Sequence, residues 1–238
     1  MGRLGHDVPA DAVFFDGREQ AVAKASVGQL LVPEFRRDTL ALCGSFFFCL
    51  LSVYMGTNWV PQMLTRSGFD VGTASWGLTA FNFGGVAGAI IGALVIMRLG
   101  SRISMLTMAA GAIAGAIVMS VMAISPQASV LVFVMLAWTG GLINAVQTTM
   151  YALAAHVYPT SIRGTGVGTA VAFGRIGGVI SPTLGVWALD TGGPARYFGI
   201  IAATMTMAFA ALAAVRRHIP GASSVGATAP VVAAPVRH

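Results

Sequence analysis

Apolar residues along this chain are gathered into six long runs separated by short polar breaks. The runs cover Thr39 to Met63, Ala74 to Met97, Met105 to Ile124, Val130 to Tyr151 with an extension to Val157, Thr165 to Leu189, and Tyr197 to Val215. Each is about 20 residues or more, and a helix of that length rises about 30 Å, the depth of a bilayer's hydrocarbon. The pattern predicts six transmembrane helices. Because the breaks are short, consecutive helices are expected to be antiparallel neighbours in one bundle. Residues 1–37 are polar, hold Asp7, Asp11, Asp16, Glu19 and Glu34, and show a short helical pattern around Arg18 to Leu31. That is too little chain to bury a core, so it is expected to be a cytosolic segment ahead of the bundle at 38–217. Residues 218–238, rich in Ala, Val, Pro and Gly, have no period and are expected to form a disordered tail.

Composition agrees with the pattern: 56% of residues are hydrophobic, 9% are charged and the mean hydropathy is +0.79. Soluble domains carry about 25% charge. The 14 Lys and Arg against 8 Asp and Glu leave +6. On a soluble domain that excess would point to nucleic acid; here the cations fall between apolar runs, where membrane topology accounts for them. With the N-terminus in the cytosol, Arg3, Arg18, Lys24, Arg36, Arg37, Arg98, Arg102, Arg163, Arg216, Arg217 and Arg237 lie inside, and only Arg66 and Arg196 lie outside. Both termini are therefore expected to be cytosolic. Cys43 and Cys49 share one apolar run, six residues apart, and make neither a disulfide framework nor a metal motif. The start, MGRLGHDVPADAVFFDG, lacks the apolar run of a signal peptide, and His6 stands where myristoylation wants Ser or Thr.

Arg175 lies near the middle of the hydrophobic segment Gly164 to Leu189. A charge at that depth costs about 2.5 to 3.5 kcal/mol, so it persists where it faces a wet cavity, a partner or an anionic ligand. One reading makes it structural, satisfied by helix-end carbonyls or by Gln147 or Tyr151; the other has it attract an anion, since guanidinium matches a carboxylate at two points. On the fourth run Asn144, Gln147, Thr148 and Tyr151 stand at i, i+3, i+4 and i+7 and make one polar stripe. Such a stripe either hydrogen-bonds across helices or lines a water-filled path. Tyr54 and Asn58 are one turn apart on the first run, followed by Trp59 and Pro61, and Asn82 stands alone on the second. Trp59 suits interfacial anchoring as well as ligand stacking, and His156 is expected at the interface.

Gly84, Gly88 and Gly92, and Gly111 and Gly115, repeat every four residues and predict close helix packing. Gly166, Gly168, Gly174, Gly177 and Gly178, followed by Ser181-Pro182, suggest a fifth helix that can bend. An intramembrane hydrolase would need Ser with His, or paired Asp, at membrane depth; neither is offered, and no enzyme, cofactor or metal is expected.

WVPQMLTRSGF after the first run, MRLGSR between the second and third, and YALAAHVYPTSIRGTGVGTAVAFGRIGGVISP across the fourth and fifth resemble the C-terminal half of major facilitator superfamily transporters. Within that superfamily the chain is similar to the aromatic acid:proton symporters, which move compounds such as 4-hydroxybenzoate, protocatechuate and benzoate into bacteria. The likeness covers roughly residues 5–217. It implies an all-α, polytopic fold of six transmembrane helices, helices seven to twelve of a twelve-helix carrier, in the bacterial inner membrane. It further implies alternating access, with substrate held between two six-helix halves. Arg175 falls on the arginine of the G-R-x-G segment and takes a role with the substrate carboxylate. Asn144, Gln147, Tyr151, Tyr54 and Asn58 are then expected to line the path. Arg98, Arg102, Tyr158, Pro159 and Arg163 fall on the cytosolic gating loops. Where the family carries an Asp ahead of Arg-x-Gly, this loop has Met97, so the acidic partner of that gate is absent. None of the eight acidic residues lies within a span, so a buried carboxylate carrying coupled protons would belong to a missing N-terminal half.

The expected function is proton-coupled uptake of aromatic carboxylates by a carrier of which this chain is half. Expected partners are the lipid bilayer, the acid and proton carried, and an N-terminal six-helix half. The alternatives are another organic acid or a sugar-acid on the same fold, or a non-transporting remnant or pairing subunit.

Overall fold

The computed structural model describes residues 27–221. Helices α1 (Arg36–Arg66), α2 (Val71–Leu99), α3 (Ser101–Val121), α4 (Ser129–Val157) and α5 (Arg163–Ala214) follow one another, with 3-10 turns at Val27–Leu31 and Pro126–Ala128. No strand occurs among the described residues. The helical pattern expected around Arg18 to Leu31 falls mostly outside the described residues, as do residues 1–26 and 222–238 of the two flanking segments.

All five helices are long and apolar enough to cross a membrane. The last has 52 residues, which at 1.5 Å each would extend about 78 Å, well over twice the hydrocarbon depth. It is not continuous: Gly193 has φ 58° and ψ −151°, a backbone that only glycine adopts without strain. The fifth and sixth apolar runs lie on either side of that break. The bend suggested at Ser181-Pro182 is a separate feature, and those residues stay helical. Pro182 has no N–H for the carbonyl of Gly178, and the Ser181 hydroxyl donates to that carbonyl at 2.9 Å instead.

Consecutive helices are not the principal neighbours. The most extensive seams join α1 to α5 and α2 to α4, whereas α2 and α3 touch little. Small residues choose the partners. A Cβ on Gly84 or Gly88 of α2 would overlap the backbone of Ala137 or Gly141 on α4, and one on Gly177 of α5 would meet the Phe47 carbonyl of α1 at 2.5 Å. Side-chain-free faces let those backbones approach, and packing contacts there outweigh the proximity that a short loop imposes. α1 forms the centre, with Leu42, Phe46, Cys49, Met55, Val60 and Met63 buried.

One end of the bundle gathers the start of α1, the α2–α3 and α4–α5 junctions and the stop of α5. There Arg37 Nε donates to the Ala214 carbonyl at 3.1 Å, the Arg216 amide donates to the buried Asp38 carboxylate at 2.8 Å, and Arg217 pairs with Glu34 at 2.7 Å. The first residues of the expected tail are docked on the α2–α3 junction: the Ser101 amide donates to the Ile219 carbonyl at 2.9 Å, and the Ile219 amide donates back to the Ser101 hydroxyl at 2.8 Å.

Candidate functional site

The buried face of α5 is drawn by Gly166, Ala170, Gly174, Gly177, Ser181 and Gly185, spaced by three and four residues. Arg175, one position past Gly174, is turned about 100° from that face and is exposed. It lies 12 residues into the helix, about 18 Å from its start. Ile176, Val179 and Phe173 around it are exposed as well. Among the described residues Arg175 has neither a hydrogen bond nor an ion pair, so Gln147 and Tyr151 do not satisfy it. A guanidinium placed this way has all its donors free to take an anion.

The other expected site residues divide into two groups. Tyr54 of α1 lays its ring over Gly178 of α5, three residues beyond Arg175, where an added Cβ would come within 2.7 Å of the ring. Tyr151 of α4 meets Phe46 of α1 edge-on at 5.2 Å, and the Phe46 carbonyl in turn faces Gly174. Tyr54, and Tyr151 through Phe46, thus border the α1–α5 seam at Gly174 and Gly178, on either side of Arg175 in the sequence of α5. Asn144 belongs to the second group, for it abuts Gly85 of α2 and donates to the Gly140 carbonyl at 2.8 Å. Gln147 is half-buried, while Thr148 and Asn58 are exposed. The polar stripe of α4 therefore runs from the α2 seam toward the open side, with Val146, Met150 and Leu153 buried opposite.

Beyond Arg175 the same side of α5 opens into a cleft of about 610 Å³ lined by Pro182, Thr183, Val186, Trp187, Asp190 and Thr191. Pro182 and Val186 stand seven and eleven residues after Arg175, on nearly the same helical bearing. Sequence reasoning missed Thr183, Trp187 and Asp190, which lie about 60–120° off the bearing of Arg175 and so carried no shared-face sign. Trp59 leans on Gly185, and its indole N–H is buried with no acceptor among the described residues.

The expected gating residues meet at the end where α1 starts and α5 stops. Tyr158 is buried, its hydroxyl donates to Thr39 at 3.0 Å, and burial holds its pKa above the usual tyrosine value. Arg163 opens α5 and donates from Nε to the Tyr158 carbonyl at 3.4 Å; Pro159 between them is exposed. Arg98 and Arg102 flank Gly100 and are exposed. Where the resemblance expects an acidic residue in that loop, the backbone of Ile219 and Gly221 lies against Gly100.

Residues 40–236 match the Major Facilitator Superfamily. The chain is 33% identical over 188 residues to a 3-(3-hydroxy-phenyl)propionate transporter of Escherichia coli, covering 78% of this chain and 45% of that protein. It is 31% identical over 193 residues to a gallate transporter of Pseudomonas putida, with 81% and 42% covered, and 31% identical over 196 residues to the 4-hydroxybenzoate transporter PcaK of the same species, with 81% and 43% covered. The chain thus spans less than half the length of these curated relatives. Long apolar helices packed along glycine faces, with this match across most of the sequence, make it a multi-pass membrane protein that belongs to the major facilitator superfamily.

Proposed function

We propose that the chain is six spans of a secondary carrier, the α5 segment crossing twice about Gly193, and that the intact carrier takes aromatic carboxylates such as 4-hydroxybenzoate into the cell with a proton by alternating access. Both termini face the cytosol of a bacterial inner membrane, and a second six-helix half covers the open side of α4 and α5. The observation that carries this reading is the unpartnered Arg175, about mid-membrane on the exposed side of α5. A carboxylate brought there exchanges water for a two-point bond with guanidinium in a low dielectric. Tyr54, Tyr151, Asn58, Asn144 and Gln147 line the path, and the cleft at Thr183 and Trp187 offers an aromatic wall on the same side. Relatives that carry hydroxyphenylpropionate, gallate and 4-hydroxybenzoate favour a ring bearing a carboxylate as the substrate class.

Uptake of labelled 4-hydroxybenzoate, competed by unlabelled acids, tests this reading. A bond to a charged group is worth about 1.5–3 kcal/mol, so Arg175→Ala is expected to weaken apparent affinity about 10- to 100-fold, and Arg175→Lys less. Unchanged affinity and rate in both variants would remove Arg175 from the site. Competition by sugar-acids but not by benzoates would move the substrate class.

A further inference from the structure

We propose that the end of the bundle where α1 starts and α5 stops holds the phosphate of an anionic membrane phospholipid in a cleft between the α4–α5 junction and the stop of α5. The cleft measures about 860 Å³, and Arg163, Arg216, Arg217, His156, His218 and Glu34 are among its lining. Three guanidinium groups meet one carboxylate. Arg217 takes that carboxylate at 2.7 Å and also stacks over the Phe35 ring at 4.7 Å. Arg163 gives only its Nε, to the Tyr158 carbonyl, and Arg216 gives only its backbone amide, to Asp38. The terminal nitrogens of Arg163 and the whole guanidinium of Arg216 have no acidic partner among the described residues. His218 contributes a wall without charge at neutral pH, since burial pushes its pKa down and both ring nitrogens are taken by Ser101 and Val215.

Two free guanidinium groups in a concave site suit a phosphate oxygen triad. The position selects a lipid over a soluble phosphate. The cleft lies where the helices end, at headgroup depth, and the residues leading into Glu34 and Phe35 carry exposed apolar side chains: Val27 is 54%, Leu31 50% and Val32 40% accessible. Leu30 between them is buried, so this short segment presents apolar groups outward beside the basic cleft, as a segment lying in the membrane interface does. A zwitterionic headgroup would bring its own cation against two uncompensated arginines, and phosphatidylglycerol would not. The inference is independent of whether Arg175 binds substrate.

The test uses the full chain purified in mild detergent with equal phosphatidylglycerol and phosphatidylcholine, reading retained lipid by native mass spectrometry. The wild type is expected to keep phosphatidylglycerol in preference. The double variant Arg163→Gln, Arg216→Gln is expected to lose about thirty-fold of that preference, at about fivefold per arginine. Arg216→Lys keeps the charge and should keep the preference, and Arg196→Gln at the other end should change nothing. Equal retention of the two lipids by the wild type overturns the proposal whether or not the double variant folds. So does full preference in a folded double variant. Displacement of the lipid by millimolar inorganic phosphate would make the cleft a soluble-phosphate site and overturn the lipid assignment.

Discussion

Where α1 begins and α5 stops, the bundle is tied by hydrogen bonds between segments far apart in sequence: Arg37 to Ala214, Tyr158 to Thr39, the Arg216 amide to Asp38, and Ser101 to His218 and Ile219. At the opposite end the Arg66–Asp190 ion pair joins α1 to α5 with side chains 40% and 52% exposed, and deeper on the same seam the buried Tyr197 hydroxyl donates to the Met55 carbonyl at 2.7 Å. Beside the ion pair Phe69 meets Phe133 at 6.2 Å, and Arg196 lies over Trp187 at 5.4 Å. The groups differ in burial more than in kind. Asp38, Thr39, Ser101 and Tyr158 are buried, so breaking one of their bonds strands a desolvated atom at about 1–3 kcal/mol. The exposed pair returns both ions to water and is worth about 0–1 kcal/mol. Breaking the Arg66–Asp190 pair therefore costs less than breaking any one of the buried bonds where α1 begins and α5 stops.

The largest way to break this contrast is to overpack the tied end. A side chain at Gly166 would enter the Tyr158 ring, and that ring also lies 6.2 Å from Phe35 and holds the hydroxyl bonded to Thr39. Gly166→Val is expected to destabilise by about 1–3 kcal/mol and to lower Tm in detergent by about 5–10 °C. An unchanged Tm would mean that the ring can move without disturbing the bonds around it. Next is Asp38→Ala, which strands the Arg216 amide; about 2 kcal/mol is expected, with faster proteolysis at the C-terminal end. Asp38→Asn keeps an acceptor and should lose less. Equal stability of the Ala variant and the wild type would place the carboxylate bond outside the folded core.

How much of this was legible in the sequence follows from what each feature depends on. Helix positions rest on run length and hydropathy, which are local, and α1, α2 and α4 each contain the run that predicted them. The glycine spacings on α2 and α3 showed close packing, but not which helix would come close; α4 supplies Ala137, Gly141, Thr139 and Leu142 to them. The break at Gly193 falls in the gap between the fifth and sixth runs and was legible from them, whereas the bend suggested at Ser181-Pro182 is offset by a hydroxyl-to-carbonyl bond that depends on the local fold. Arg175 stood out from depth alone. The docking of Ser101 with His218 and Ile219 joins residues 117 and 118 positions apart with no shared pattern, and so left no trace.

That docked segment makes the tied end sensitive to pH. Burial is the main cause of the depressed His218 pKa; the Val215 carbonyl opposes it, Arg102 adds to it and Asp38 opposes it. A histidine whose folded value lies below its unfolded one stabilises the fold fully above the unfolded value, about 6.5. The contribution is lost as pH falls from there through the folded value, because the unfolded chain binds the proton more readily. Exchange of the Ile219 amide, corrected for its intrinsic rate, is expected to accelerate as pH falls below about 6.5 in the wild type and not in His218→Gln. Identical profiles in the two proteins would assign the acid sensitivity, if one is seen, to another group.

The smallest expected effect is the one that defines the opposite end. Arg66→Ala and Asp190→Ala each remove one partner of a pair already in contact with water, so each should cost about 0–1 kcal/mol, and the double variant little more than either. A double-mutant cycle on Tm measures the coupling directly. High salt should shrink it further, since exposed charges are screened over about 10 Å at 0.1 M ionic strength. A coupling above 2 kcal/mol that persists in high salt would mean that Arg66 and Asp190 are buried in the assembled protein, covered by a surface outside this chain. The contrast between the ends would then belong to the isolated bundle, and the face around Trp187 and Asp190 would be the place where a second half of the carrier closes over it.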